Sequence, residues 1–242
     1  MKNLILIIAL ISTSFYSCTP DNPNPNGNNN NPTSINPTYT QGPSVTDIDG
    51  NVYSSVVNCG QTWTSKNLDV SHYRNGDIIP QVADFTQWEN LTTGAWCYYE
   101  NVPGNGSIYG KLYNFYAVND SRGLAPSGWH IPTDTEWSSL EVCLGGSSIA
   151  GGKMKEIGFT HWNSYPLEAA SNSSGFTALP GGYRSPNGGS TFLWKGAFGY
   201  YWSSTSAGIL FGFGRGLFYG GSEVDRNSYI NNQGFSVRCV KD

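Results

Sequence analysis

Three histidines, five cysteines and a few closely spaced carboxylates are the residues here whose chemistry could do work. His72, His130 and His161 stand too far apart to share a metal-ligand spacing, and no His-Glu-x-x-His, Cys-x-x-Cys or phosphate-binding loop occurs. His130 lies between Trp129 and Ile131 in an expected strand, which points to a structural imidazole. Asp47–Ile48–Asp49–Gly50–Asn51 offers oxygen ligands at alternate positions. An EF-hand calcium loop would need glycine sixth and glutamate twelfth, where Val52 and Asn58 stand, so Asp49–Gly50 is read as a hairpin turn. Glu223 and Asp225 alternate onto one strand face beside Arg226, and could bind calcium, serve acid–base work or form a solvated rim. No Gly-x-Ser-x-Gly nucleophile elbow is present. No catalytic residue, metal or cofactor is assigned.

The richest stretch for recognition runs from 192 to 219. Phe192, Trp194, Phe198, Tyr200, Tyr201, Trp202, Phe211, Phe213, Phe218 and Tyr219 crowd into it, separated by glycines. Strand alternation puts Tyr200 and Trp202 on one face and Tyr201 on the other. At least half of these rings, Trp202 first, are expected in the core, and the others could meet a ligand. The candidate binding residues are Arg184, Trp194, Tyr200, Tyr201, Glu223 and Asp225.

The elements positioning them read as short strands and tight loops. Charged residues make up only 12% of the 242 and aromatics 14%, with 30 glycines. A net charge of −4 without a Lys/Arg run argues against a nucleic-acid partner. The clearest helix follows Thr133, whose pairing with Glu136 is a capping-box pattern. Trp137, Leu140 and Leu144 share one face, and Gly145 is a stop signal. That helix is expected to pack against a terminal strand over Phe235–Val240. Asp84 should cap a helical turn through Trp88, Asn75–Gly76 marks a hairpin, and Tyr109–Val118 reads equally as strand or helix.

Met1–Lys2–Asn3 and the apolar run Leu4–Ile11 read as a secretory signal, residues 1–17, too short to span a bilayer. Phe15–Tyr16–Ser17–Cys18 resembles a bacterial lipobox, which implies lipidation of Cys18 and attachment to a membrane surface. Residues 18–44, rich in Asn and Pro, read as a disordered tether ahead of a domain over 45–242. The expected location is the outer membrane, on its periplasmic or surface side.

Seven ordered segments carry a family resemblance. They are Asp49–Gly50–Asn51–Val52–Tyr53; Gln61–Thr62–Trp63 with Asn67–Leu68; Tyr109–Gly110–Lys111–Leu112–Tyr113–Asn114; Gly128–Trp129–His130–Ile131–Pro132; Leu179–Pro180–Gly181–Gly182–Tyr183–Arg184; Tyr201–Trp202–Ser203–Ser204; and Gly234–Phe235–Ser236–Val237–Arg238–Cys239. Residues 46–242 thereby resemble the Fibrobacter succinogenes major paralogous domain. The resemblance implies an α+β, C-type-lectin-like fold related in architecture to formylglycine-generating enzymes, with no assigned activity. Many members carry cysteine before Pro126, where this chain has Ala125. With Cys18 lipidated, Cys59, Cys97, Cys143 and Cys239 allow three pairings or four free thiols. The expected pairs are Cys59–Cys97, joining neighbouring strands, and Cys143–Cys239, tying helix to terminal strand as in lectin-like folds. Cys239 has no cysteine neighbour in sequence with which to bind copper as those enzymes do. The expectation is a non-catalytic module binding an extracellular glycan or protein, with an envelope assembly component or an enzyme with an unread site as alternatives.

Overall fold

The computed structural model describes residues 39–164, 170–186 and 191–242. Cys18, the signal segment and most of the expected tether lie outside them. The first strand, β1 (Thr40–Thr46), pairs antiparallel with β2 (Val52–Asn58). Residues 40–44, expected as part of the tether, are therefore strand, and Tyr39 before them packs against the core. Pro43 is accommodated because the β1 register shifts between Gly42 and Val45, where no ladder N–H is needed from it. The Asp49–Gly50 turn forms as expected: the Asp47 carboxylate accepts from the backbone N–H of Asp49 and Asn51, the Asn51 amide and the Tyr53 hydroxyl. Those four donors occupy the oxygens that a calcium ion would need. Strand β3 (Gln61–Thr64) returns through a two-residue turn in which Cys59 and Gly60 both have positive φ, 46° and 82°. Such a turn matches the twist of the strands it joins.

Short elements follow. Asp84 caps α1 (Phe85–Glu89) by accepting from Gln87 N–H, as expected. Next come β4 (Trp96–Cys97), α2 (Pro103–Tyr109), β5 (Leu112–Tyr113) and α3 (Phe115–Val118). The ambiguous 109–118 stretch is thus split between the two-residue strand β5 and the helix α3, which Asn114 caps through Ala117 N–H. After β6 (Trp129–His130), the capping box of Thr133 and Glu136 starts α4 (Asp134–Cys143), and α5 (Ser147–Met154) follows. The remainder is β7 (Tyr183–Arg184), β8 (Phe192–Leu193), β9 (Phe198–Ser206), β10 (Phe211–Phe218), β11 (Val224–Ile230) and β12 (Val240–Lys241). The architecture is α+β: a five-stranded sheet ordered β1-β2-β3-β12-β6, a three-stranded sheet β11-β10-β9, and two small ribbons.

The closing stretch runs through the middle of this arrangement. Phe235 pairs with Tyr113, Ser236 with Tyr201, and Val240 with both Trp63 and His130. It separates two apolar clusters. Tyr53, Trp202, Phe235, Val237 and Cys239 belong to one, and Val56, Trp63, Val240 and the α4 residues Trp137, Leu140 and Leu144 to the other. Helix and terminal strand do share a core. The contact is made by Val240, however, and alternation turns Cys239 to the opposite face.

That geometry corrects the expected disulfides. Cys143 bridges Cys59, with 6.2 Å between their Cα atoms, while Cys97 and Cys239 are buried free thiols. Burial pushes the Cys97 thiol up to about 11 and the Cys239 thiol higher still. Neither carries appreciable thiolate near neutral pH. The bridge pins the tip of the β2–β3 hairpin to the end of α4.

Buried cations bind the loops. Arg238, with no exposed surface, donates to Asn67 Oδ1 (2.6 Å), to the carbonyls of Thr64 (2.8 Å), Phe176 (2.7 Å) and Thr177 (3.0 Å), and sits 4.3 Å over the Phe176 ring. Lys155 reaches the carbonyls of Phe218 and Gly221. Arg215 is held by Asp134 and Glu141 of α4.

Two outcomes are expected. A non-reducing peptide map should recover Cys59 linked to Cys143 with Cys97 and Cys239 alkylatable after unfolding. Closing a loop with sequence separation 84 should contribute up to ~4.6 kcal/mol, lost in Cys143→Ser. Arg238→Met should lower the unfolding free energy in urea titration by ~3 kcal/mol or more, since each stranded buried acceptor costs ~1–3 kcal/mol; a loss below ~1 kcal/mol would contradict the clasp.

Candidate functional site

The sequence of β10 decides what its sheet presents. In Phe211–Gly212–Phe213–Gly214–Arg215–Gly216–Leu217, glycine recurs at every second residue, so one face of the strand carries no side chains. Neighbouring rings occupy that space. A Cβ at Gly216 would lie 3.1 Å from the Tyr200 ring, one at Gly214 3.2 Å or less from the Tyr229 ring, and one at Gly212 2.3 Å from the Phe115 ring. Register places Gly216 between Tyr200 of β9 and Asp225 of β11, and Gly214 between Trp202 and Asn227. The other face, with Arg215 and Leu217, turns toward α4 and the second cluster.

The result is a patch of rings with polar tips. Trp194 is 49% exposed and packs against Tyr183 (5.5 Å between centroids), Phe198 (4.9 Å) and Tyr200 (6.3 Å). Its φ of +65° is a strained conformation for an aromatic residue, held because its carbonyl accepts from both Ala197 and Phe198 N–H. Tyr200 is only 7% exposed and stacks on Phe235 and Phe198. Among the described residues its hydroxyl and that of Tyr183 have no hydrogen-bond partner, and neither hydroxyl is enclosed. Tyr229 stands edge-on to Tyr200 at 5.8 Å. Burial raises the Tyr229 phenol to about 12, with the Asp225 charge adding to the effect; Tyr200 is raised further, by burial and by its neighbours Tyr229, Tyr183 and Asp225. All three hydroxyls therefore stay protonated donors at neutral pH. Asp225 is exposed and accepts from the Asn227 amide at 2.7 Å.

Several residues expected at a binding face stand elsewhere. Arg184 is fully buried, donates to the carbonyls of Val82, Ala83 and Asp84, and lies 4.3 Å over Trp88. Its charge is spent on chain contacts, so it does not gather with Glu223 and Asp225. Tyr201 is buried on the α4 side, its hydroxyl bonded to Leu179. Glu223 is exposed, with its carboxylate folded over Gly221. Trp194, Tyr200 and Asp225 are brought together; Tyr183, Asn227 and Tyr229 join them without having been singled out. The glycine repeat was the signal that could have found them. Trp202 is fully buried, as expected.

Away from the ring patch, a hollow of about 330 Å³ is lined by Lys66, Asn67, Asp69, Glu156, Thr177 and Arg238 among others. Its floor groups are engaged: Asn67 and Arg238 bond each other, and Asp69 is paired with Lys111 at 2.8 Å. No group of three potential metal ligands occurs among the described residues. Each histidine has a carboxylate neighbour, His72 with Asp49 and His161 with Glu156. His130 has two, Asp242 at 2.6 Å and Glu136 at 2.9 Å, which tie the end of the chain to the first turn of α4. Burial disfavours its charged form, but the hydrogen bonds to Asp242 and Glu136 outweigh that and raise its pKa. Burial likewise works against the Glu136 carboxylate, and the bonds from Thr133 and His130 outweigh it to lower the pKa.

Among known proteins, the family model of the Fibrobacter succinogenes major domain matches residues 56–241. No curated protein and no solved structure matches the chain.

The His130 clamp has a defined pH window. Its contribution is complete below the unfolded histidine pKa of ~6.5 and fades as pH rises through the higher folded value; the Glu136 contribution holds above ~4.3 and fades as pH falls. In thermal melts, His130→Gln should lose most relative to the unaltered chain between roughly pH 4.5 and 6.5, and little at pH 9. A deficit independent of pH would show that the imidazole acts by packing alone.

Proposed function

This chain belongs to the Fibrobacter succinogenes major domain family, and from that premise we propose that it is a non-catalytic binding protein of the bacterial envelope that holds an extracellular glycan at the exposed edge of the ring cluster packed on the β9–β11 sheet. The observation that carries the reading is the pair of open phenol hydroxyls, Tyr183 and Tyr200, on rigidly packed rings beside the exposed Trp194 and the Asp225 carboxylate. A sugar has the same mixed character. Its C–H face stacks on an indole, while its hydroxyls pair with fixed donors and acceptors at the edge. Because these rings are locked by their neighbours, little side-chain entropy is lost when a ligand settles on them.

Binding without turnover is favoured by the state of the reactive groups. Both free thiols are buried with raised pKa, and each histidine is spent on a carboxylate. The fold we assign is C-type-lectin-like, in keeping with the α+β arrangement closed by its terminal strand. The lipobox-like segment ending at Cys18 supports a lipid anchor on the outer membrane, with the Asn/Pro-rich stretch as a spacer.

One observation favours a second reading, an envelope assembly component that binds another protein of the same cell. At the β9–β10 hairpin tip Ile209, Leu210 and Phe211 are 95%, 60% and 40% exposed, a contiguous apolar knob.

Glycan-array binding of the intact protein in detergent tests both. We expect a reproducible glycan hit that Trp194→Ala weakens by about tenfold, equivalent to ~1.4 kcal/mol, and that Phe211→Ala leaves intact. Silence across neutral, acidic and amino glycans, together with a native-envelope pull-down abolished by Leu210→Asp, would replace the first reading with the second.

A further inference from the structure

The charge on the ring face is one-sided. Asp225 is an exposed carboxylate whose partner is a neutral amide, Asn227. The neighbouring cations are committed elsewhere, among them Arg215, whose charge acts on Tyr229 and which Asp134 and Glu141 hold. Arg226 projects to the opposite face of β11, where it grips Asp134 at 2.8 Å and lies 4.1 Å over Phe213. Lys195, beside Trp194 in sequence, turns to Glu100 (3.3 Å) and lies 4.9 Å over Tyr99. Arg184 is buried on backbone carbonyls. Among the described residues, then, the face holds one anion, Asp225, set across Gly216 from Tyr200 and acting on Tyr200 and Tyr229, with no cation paired to it.

That combination discriminates between sugars. An anionic saccharide such as a uronate or sulfate ester would bring like charge against Asp225. A neutral or N-acetylated sugar would partly desolvate the carboxylate without a charge in return. An ammonium group gains from the carboxylate, whereas Tyr200, stacked on Phe198 and Phe235, offers its hydroxyl and not an open ring face. The Tyr200 hydroxyl, on a ring more than nine-tenths buried, is fixed at the same place to orient a neighbouring sugar hydroxyl.

Resting on the reading of this face as a glycan site, we propose that its ligand carries a free amino group, as in a partly or fully deacetylated hexosamine chain, and that Asp225 is the residue that selects it. Stacking on Trp194 serves any sugar; the carboxylate across Gly216 from Tyr200 distinguishes amine from acetamide.

The experiment compares hexamers of glucosamine and of N-acetylglucosamine, measured by calorimetry on the intact protein in detergent at pH 6. We expect the amino hexamer to bind at least tenfold more tightly, with the advantage shrinking in 0.5 M salt. Asp225→Asn should erase the difference while keeping the melting temperature, and Trp194→Ala should weaken both hexamers. Equal or tighter binding of the acetylated hexamer, still sensitive to Trp194→Ala, overturns the amine selection and leaves the glycan reading standing. An amine preference untouched by Asp225→Asn also overturns it, as diffuse attraction to an acidic protein. Binding of neither hexamer, nor of any arrayed glycan, removes the glycan reading itself.

Discussion

The buried guanidinium of Arg238 is the interaction on which the rest of this domain depends. A fold built from two-residue strands and long connections has many carbonyls that no helix or sheet ladder can satisfy, and each one left dry would cost free energy. Arg238 gathers three of them, from Thr64, Phe176 and Thr177, around one planar group. It does so from the closing stretch of the chain, which is already paired with Tyr113, Tyr201 and Trp63. Arg184 and Lys155 repeat the device at other loops. A lysine could not replace Arg238, because a tetrahedral ammonium lacks the flat, forked set of donors. Little charge is left over for the surface, consistent with the low overall content of ionisable residues.

This internal bonding is what allows the ring face to be rigid. Tyr200 and Trp202 project from β9 into one cluster while Tyr201 anchors the same strand in the other. Trp202 donates its indole N–H to the Tyr113 carbonyl, and Trp137 of α4 closes against the opposite side. With β9 gripped from both faces, the glycine column of β10 leaves room for the rings of Tyr200 and Tyr229, which meet edge-on at 5.8 Å. The site is thus a by-product of core packing: the same rings that stabilise the domain present its polar tips.

The redox chemistry of the chain is partitioned by the same alternation. Cys59, at a hairpin tip, and Cys143, at a helix end, meet at the periphery and close a long loop. Cys97 and Cys239 are sealed among apolar side chains, where a thiol packs as a small hydrophobe. Among the described residues the sulfur is thus one bridge at the periphery and two thiols held dry in the interior.

Local pattern alone determined a good deal. The capping box at Thr133, the turns at Gly50 and Asn75–Gly76 and the Asp84 cap were legible because each depends on backbone geometry within a few residues, while the α+β class came with the family resemblance. The family was legible too, from seven ordered motifs. What the tertiary structure decided was which side chains meet across long separations. The pairing of Cys59 with Cys143, the withdrawal of Arg184 and Tyr201 from the surface, the strand over residues 40–44 and the convergence of Tyr183, Tyr200, Tyr229 and Asp225 all depend on which face of a strand each residue takes. A shift of one residue in a strand inverts that choice, and the register is set only when distant strands pair.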